Sequence, residues 1–199
     1  MNTDKLYHSS LIKTLENREL EIANFEGYSV KILFDFLKTS HKRFLNESIP
    51  KIEQNFLMLV KYFDSNNDLK TLFNLFLKFE VDLKQHIKIE EKTIFPYSEV
   101  LYKASISQSM QAVLLIHFSQ YSIADFSNSH GDNECYLTEI IFLLLQKEEL
   151  KHHPVYNILL KQICQLDNEL KIHGWLEDNV LVDKVKDIEV AISNFVKND

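Results

Sequence analysis

The chain has 199 residues, of which 45% are hydrophobic and 12% aromatic, and it carries a formal net charge of −7. This composition is typical of a single globular domain and excludes an intrinsically disordered chain. The acidic balance, without a stripe of Lys and Arg, argues against a nucleic-acid-binding surface. The sequence has neither a run of about 18 apolar residues that could span a membrane nor the features of a secretion signal. We therefore expect a cytoplasmic protein whose two cysteines are reduced.

Long helices are predicted for most of the chain, because it has only three glycines and three prolines with which to form tight turns. Apolar residues at three- and four-residue steps predict a first helix over 28–63, which Pro50 either kinks or divides. The segment DSNND at 64–68 is predicted to be a turn. A second helix is predicted over 72–102, with a disturbance near Pro96.

The second half of the chain is predicted to be helical as well. A third helix covers 107–126, the loop SNSHGDN follows at 127–133, and an additional helix begins after it. Pro154 suits the first turn of the next helix. The predicted fold is an all-α four-helix bundle with an additional helix in its second half. Its predicted parts are an N-terminal helical extension (1–27), a bundle domain (28–185) and a C-terminal helical tail (186–199).

The motif His-x-x-x-Glu occurs twice in apolar helical surroundings, as His86 with Glu90 and as His173 with Glu177. Residues i and i+4 lie on the same face of a helix, so an imidazole and a carboxylate at this spacing can reach one metal ion. A single copy is expected by chance in a chain with eight histidines. The copy that starts at His130 is of this kind, because its residues flank GDN in the predicted loop.

The sequence around the two motifs repeats in register, which predicts two helical hairpins related by an approximate two-fold axis. Leu83, Lys84, His86 and Glu90 recur in order as Leu170, Lys171, His173 and Glu177. Such a repeat predicts one further histidine on an apolar helix in each half, and His41 and His117 meet this requirement. A lone histidine on an apolar face is more often a satisfied core residue than a ligand, but four histidines and two carboxylates from four helices favour a metal centre.

With these residues the chain resembles the hemerythrin-like superfamily of diiron four-helix bundles (HHE cation-binding domains), and within it the branch of iron–sulfur-cluster repair proteins. HIKIEEKTIFPY (86–97) is similar to that branch's His-x-x-x-Glu-Glu-x-x-x-Phe-Pro motif, and HGWLEDNVL (173–181) to its His-x-x-x-Glu-Asn-Asn-x-Leu motif. The likeness covers residues 28–185. It implies two iron ions held by terminal imidazoles and bridging carboxylates, from His41, His86, His117 and His173 and from Glu90 and Glu177, respectively. Manganese and zinc are the alternatives, because imidazole and carboxylate ligands suit all three metals.

Two features depart from the family pattern. The family has a further histidine near the end of the first helix, where this chain has Tyr62. A tyrosine there could ligate ferric iron, hydrogen-bond an iron-bound ligand or fill space, and His152 or His153 is an alternative source of the missing nitrogen. Repair proteins often carry a leading domain with paired cysteines, and residues 1–27 contain none. Glu149-x-x-His152 has the ferritin-like Glu-x-x-His spacing and is interpreted as accidental.

The ligand set leaves at least one coordination position open, through which a reduced centre could bind dioxygen or nitric oxide. We therefore predict a non-heme diiron protein that binds either molecule, in storage, sensing or oxidative or nitrosative stress response, and is a binding protein rather than a turnover enzyme. One alternative is a protein that repairs iron–sulfur clusters or reduces a small oxidant, with a redox or iron–sulfur protein partner, and another is a metal-free helical interaction module. Gly174 is expected either to give room beside the site or to relieve packing, and the expected apolar walls are Ile89, Leu114, Trp175 and Leu176.

Overall fold

A computed structural model of the protein describes residues 29–107, 123 and 135–198, and every element within these residues is a helix. The predicted all-α helical bundle is thereby confirmed. None of the described helices combines the length and the apolar character needed to cross a lipid bilayer. The α-helices of this part of the chain are α1 (Val30–Arg43), α2 (Ile49–Tyr62), α3 (Asn67–Ile89), α4 (Phe95–Ser107), α5 (Cys135–Leu145), α6 (Pro154–Leu176) and α7 (Val182–Asn198).

Three π-helical turns join consecutive α-helices into long continuous ones. Phe44–Ser48 joins α1 to α2, Glu90–Ile94 joins α3 to α4, and Glu177–Leu181 joins α6 to α7. Each turn accommodates one residue more than an α-helical turn, through i→i+5 hydrogen bonding. The second and third turns begin at the glutamates of the two His-x-x-x-Glu motifs, so the repeat in the sequence is also a repeat in the backbone.

Pro50 and Pro96 lie inside these continuous helices, each as the second residue after a π turn. Proline lacks an N–H group, and its ring clashes with the carbonyl of residue i−4 in a regular α-helix. In both helices that residue belongs to the preceding π turn, where the backbone is wider. The chain therefore stays helical through both prolines, and Pro50 does not divide the first helix.

The helix starts follow the capping signals of the sequence. Ser29 caps α1, with its Oγ accepting a hydrogen bond from the backbone N–H of Ile32 (3.4 Å). Asn66, in the predicted turn, caps α3, with its Oδ1 accepting from Leu69 N–H (3.0 Å). Pro154 is the first residue of α6, as predicted. Caps of this kind satisfy backbone donors that have no partner within the helix.

Four helices enclose the first of two hydrophobic cores. Helix α2 packs on α3 and α6, and α5 packs on the same two helices from the opposite side. This core contains large buried apolar side chains such as Phe56, Phe76, Leu144 and Leu159. This ring is the cross-section of a four-helix bundle.

A second core lies at the other end of the long helices, where α4 packs on α7 and α1. It contains Leu37, Phe95 and Leu181. Ile123 of the predicted third helix is also buried there, and Ser107, the first residue of that predicted range, is the last residue of α4. The remainder of that helix, the 127–133 loop and the 1–27 extension lie outside the described residues. The predicted helical tail belongs to α7, and the predicted domain limit at residue 185 falls within this helix.

Candidate metal centre

A layer of buried polar side chains separates the two cores at the level of the π turns. His41, Glu90, His173 and Glu177 form this layer, each with a relative exposure of 5% or less. One potential ligand atom from each residue lies within 4.8 Å of those of the other three. Buried acids and imidazoles need compensation by partners or by metal coordination. This group, composed of residues predicted as ligands from the sequence, could hold a metal ion.

The carboxylate of Glu90 lies between two imidazoles. Its Oε1 atom is 2.7 Å from Nε2 of His86, and its Oε2 atom is 3.1 Å from Nε2 of His41. His86 thereby joins the group as a fifth predicted ligand, with a side chain that is 25% exposed. One oxygen of this carboxylate thus lies beside each of two histidines.

The second motif has the same internal geometry as the first. Nε2 of His173 is 3.1 Å from Oε1 of Glu177, one helical turn further along. Nε2 of His173 is also 2.9 Å from Nε2 of His41. The i,i+4 spacing therefore places both imidazole–carboxylate pairs as the sequence predicts, and His41 connects them.

The ring of His41 is oriented by a neighbouring acid. Its Nδ1 is 3.1 Å from Oε1 of Glu91, and its ring stacks on Phe95 at a centroid distance of 5.5 Å. A carboxylate can only accept, so Nδ1 donates; in the form with one ring proton, Nε2 is then an acceptor. That acceptor faces Oε2 of Glu90, another acceptor, at 3.1 Å. A cation between these two atoms would satisfy both, so the residues present fit a metal ion.

His173 has a different environment from His41. Phe44 contacts its ring edge-on at a centroid distance of 5.5 Å, and its Nδ1 has no hydrogen-bond partner among the described residues. Burial lowers the pKa of His173 to about 4; the charge of Glu90 opposes this shift, and His86 and Arg43 add to it. The ring is therefore neutral near pH 7, in the form that can coordinate a metal.

The pKa of His86 is shifted in the opposite direction. Burial acts to lower its pKa, but the hydrogen bond and charge of Glu90 and the charges of Glu177 and Asp178 outweigh burial, so that the pKa is raised. A proton on His86 and a metal ion compensate the same carboxylates. We therefore expect metal binding to displace this proton.

Tyr62 is not part of the cluster, so its prediction as a ligand is not supported. It lies at the end of α2, in the same continuous helix as His41, and a rise of 1.5 Å per residue separates the two by roughly 30 Å. Its side chain is 69% exposed and packs on Phe63 and His153, with a ring-centroid distance of 4.5 Å to His153. The remaining predicted ligand, His117, and the chance copy at His130 lie outside the described residues.

A cavity of about 60 Å³ adjoins the cluster, and most of its wall residues were missed by sequence reasoning. Ile89, an expected wall residue, is 52% exposed, whereas Leu176 is buried in the second core. Leu114 lies outside the described residues. Gly174 does line the cavity, as predicted. The apolar wall is formed by Phe44, Phe79, Leu83, Ile87, Leu137 and Leu170.

The wall residues of α3 and α6 follow from helical spacing. Phe79 and Leu83 lie seven and three residues before His86, and Leu170 lies three residues before His173. Residues at these steps share a helix face. Counting back from each motif histidine along its own face would therefore have found them.

No protein-family model, curated protein or solved structure matches the chain. The likeness to hemerythrin-like proteins accordingly stays a prediction based on the two motifs. The candidate metal centre is inferred from the residues and geometry of this chain.

Proposed function

We propose that this protein is a non-heme diiron protein that binds dioxygen or nitric oxide at a dinuclear centre, in storage, sensing or the response to oxidative or nitrosative stress. The observation that carries the proposal is the position of Glu90, whose two carboxylate oxygens face His86 and His41 within a buried His/Glu cluster. A site for a single ion does not need a carboxylate that is shared in this way.

The side chains divide between two metal positions around Glu90. His41, His173, Glu177 and the Oε2 atom of Glu90 surround one position. His86 and the Oε1 atom of Glu90 mark the other, to which the sequence adds His117 as a predicted ligand. The charges of Glu90 and Glu177 would offset the repulsion between two divalent cations.

The donor set favours iron, manganese or zinc, and iron is proposed because zinc is redox-inactive. Iron, when bound, supplies a reducible centre with affinity for small diatomic molecules. The chain itself orients the ligands and limits the access of water. Glu91 holds the proton of His41 on Nδ1, and the two apolar cores enclose the cluster from both ends.

The first test is the metal content of anaerobically purified protein, with ultraviolet–visible spectra before and after exposure to air and to nitric oxide. We expect close to two irons per chain and new near-ultraviolet charge-transfer bands after exposure. Protein that binds no metal even after reconstitution with ferrous iron would exclude the proposal. A single zinc ion would leave a metal protein without the proposed gas chemistry.

Substitution of the ligands tests the assignment residue by residue. His86→Ala and Glu177→Ala should each lose at least one iron, because each removes a direct ligand from the cluster. Glu149→Ala and His152→Ala remove the Glu-x-x-His copy near Tyr62 and serve as controls that should retain full iron content. Equal loss in both sets, or no loss in the first, would contradict the assignment.

A further inference from the structure

The cavity beside the cluster is suited to a very small, uncharged guest. Its volume of about 60 Å³ is several times the 10–15 Å³ needed for one water molecule, and far below that of pockets for larger metabolites. Its inner end is formed by ligand residues, including His86 and His173. An ion that the ligand residues did not coordinate would exchange its hydration shell for apolar walls, which is costly. A neutral diatomic molecule faces no such penalty.

Between α5 and α6, the cavity lining adjoins a network of three polar side chains. Asp167 and Lys171, which both line the cavity, form an ion pair with Nζ 2.7 Å from Oδ2. Thr138 of α5 bonds to both of them: its hydroxyl donates to Oδ1 of Asp167 (3.3 Å) and accepts from Nζ of Lys171 (3.3 Å). The Lys171 side chain is 32% exposed, so this network reaches solvent.

The repeat gives this network a counterpart that does not line the cavity. Glu80 and Lys84 occupy the positions in α3 that correspond to Asp167 and Lys171, and they form the same i,i+4 ion pair, with Nζ 2.5 Å from Oε1. Neither residue lines the cavity. The ion pair of Asp167 and Lys171 thus lines the cavity, whereas the equivalent pair of Glu80 and Lys84 does not.

We propose that Thr138, Asp167 and Lys171 form a gate through which small neutral molecules pass into the cavity and reach the cluster. The identity of the centre at the inner end rests on the proposed function, whereas the cavity and its gate are properties of the chain itself. Opening requires only that the partly exposed ion pair separates, and pairs of this kind are weak. Entry is therefore expected to be fast but to depend on Lys171 and Asp167.

Xenon provides a test of the cavity that needs no metal, since xenon occupies apolar cavities of this kind. In metal-free protein with labelled leucine methyl groups, xenon should shift the resonances of Leu83, Leu137 and Leu170 in a saturable manner. Leu57, which is 50% exposed on α2, should not shift. Leu170→Trp should abolish the response. Equal shifts at Leu57, or no shift at the cavity leucines, would overturn the proposal.

The gate is tested by measuring how fast small molecules enter and leave the cavity. Lys171→Ala and Asp167→Ala should each raise the exchange rate of xenon by roughly two- to fivefold, as expected for breaking a partly exposed ion pair. In iron-loaded reduced protein, both variants should raise the rate of the spectral change on mixing with nitric oxide by the same factor. Lys84→Ala, the matched control, should leave both rates unchanged. Rates unaffected by Lys171→Ala would refute the gate. If the protein takes up no iron, the proposed function is refuted. The xenon exchange rates would still test the gate, because they need no metal.

Discussion

Glu91 acts on the candidate centre through the ring of His41. It is the second acid of the first motif, and Asp178 takes the equivalent place in the second. Its carboxylate is 43% exposed and fixes which nitrogen of His41 carries the proton. A buried ligand pre-set in this way does not need to reorient when a metal arrives.

Replacing Glu91 by alanine should therefore weaken metal binding by about 10- to 100-fold, the usual effect of removing such an outer partner of a ligand. Competition with a chelator of known affinity measures the change. Glu91→Gln should lose less, because the amide oxygen still accepts from Nδ1. Glu47→Gln, in an exposed ion pair with Lys51, is the control. Unchanged affinity in Glu91→Ala would show that packing on Phe95 alone orients the ring.

At the scale of single residues, the sequence predicts which side chains meet when their spacing along one helix decides it, and predicts this less well when a position is carried over from a family pattern. The pairs at i,i+4 needed only helical geometry. Tyr62 was named as a candidate only because the family has a histidine at that position. The rise per residue along one unbroken helix places it far from His41.

Among the elements, α6 carries Gly174 on the face that lines the cavity. Leu170, Lys171 and Glu177 share this face at steps of three and four residues, so a side chain at position 174 would project into the cavity. Glycine inside a helix costs about 1 kcal/mol relative to alanine. Gly174 thus lowers the stability of α6 at the point where the cavity adjoins the cluster.

Gly174→Ala should accordingly raise the free energy of unfolding of the metal-free protein by about 1 kcal/mol, measured by urea denaturation. The same methyl group narrows the cavity, so the shifts caused by xenon should become smaller. A variant that is less stable than the wild type would indicate that the space at residue 174 is already filled.

The long helices themselves were predictable, because their apolar periodicity is strong and breakers are few. The π turns were not, since one additional residue in a helix of this length leaves the three- and four-residue pattern nearly intact. These turns occur where apolar cores give way to the polar layer, as π turns often do at functional sites. The packing of α5 against α3 and α6 also depended on contacts between distant segments that no local pattern encodes.

For the molecule as a whole, the polar layer links folding to pH. The folded pKa of His173 is about 4, against 6.5 for an unperturbed histidine. Between these values the unfolded chain binds more protons than the folded one, so stability is lost as the pH falls through this window. The raised pKa of His86 acts in the opposite sense.

Metal-free protein should therefore lose up to about 3 kcal/mol of unfolding free energy through His173 between pH 6.5 and 4. Urea denaturation across this range measures the loss, and His173→Phe isolates the contribution of the imidazole. The variant should show a flatter dependence on pH than the wild type. Parallel curves would mean that the carboxylates of the layer, and not His173, determine acid sensitivity.

The cavity also gives the folded protein a larger volume than close packing would. Unfolding eliminates internal voids, so hydrostatic pressure favours the unfolded chain in proportion to the void that disappears. A gas atom in the cavity opposes this effect by stabilising the folded state through mass action. Pressure and dissolved gas thus act on the same small space in opposite directions, and the folding equilibrium of this protein is coupled to both.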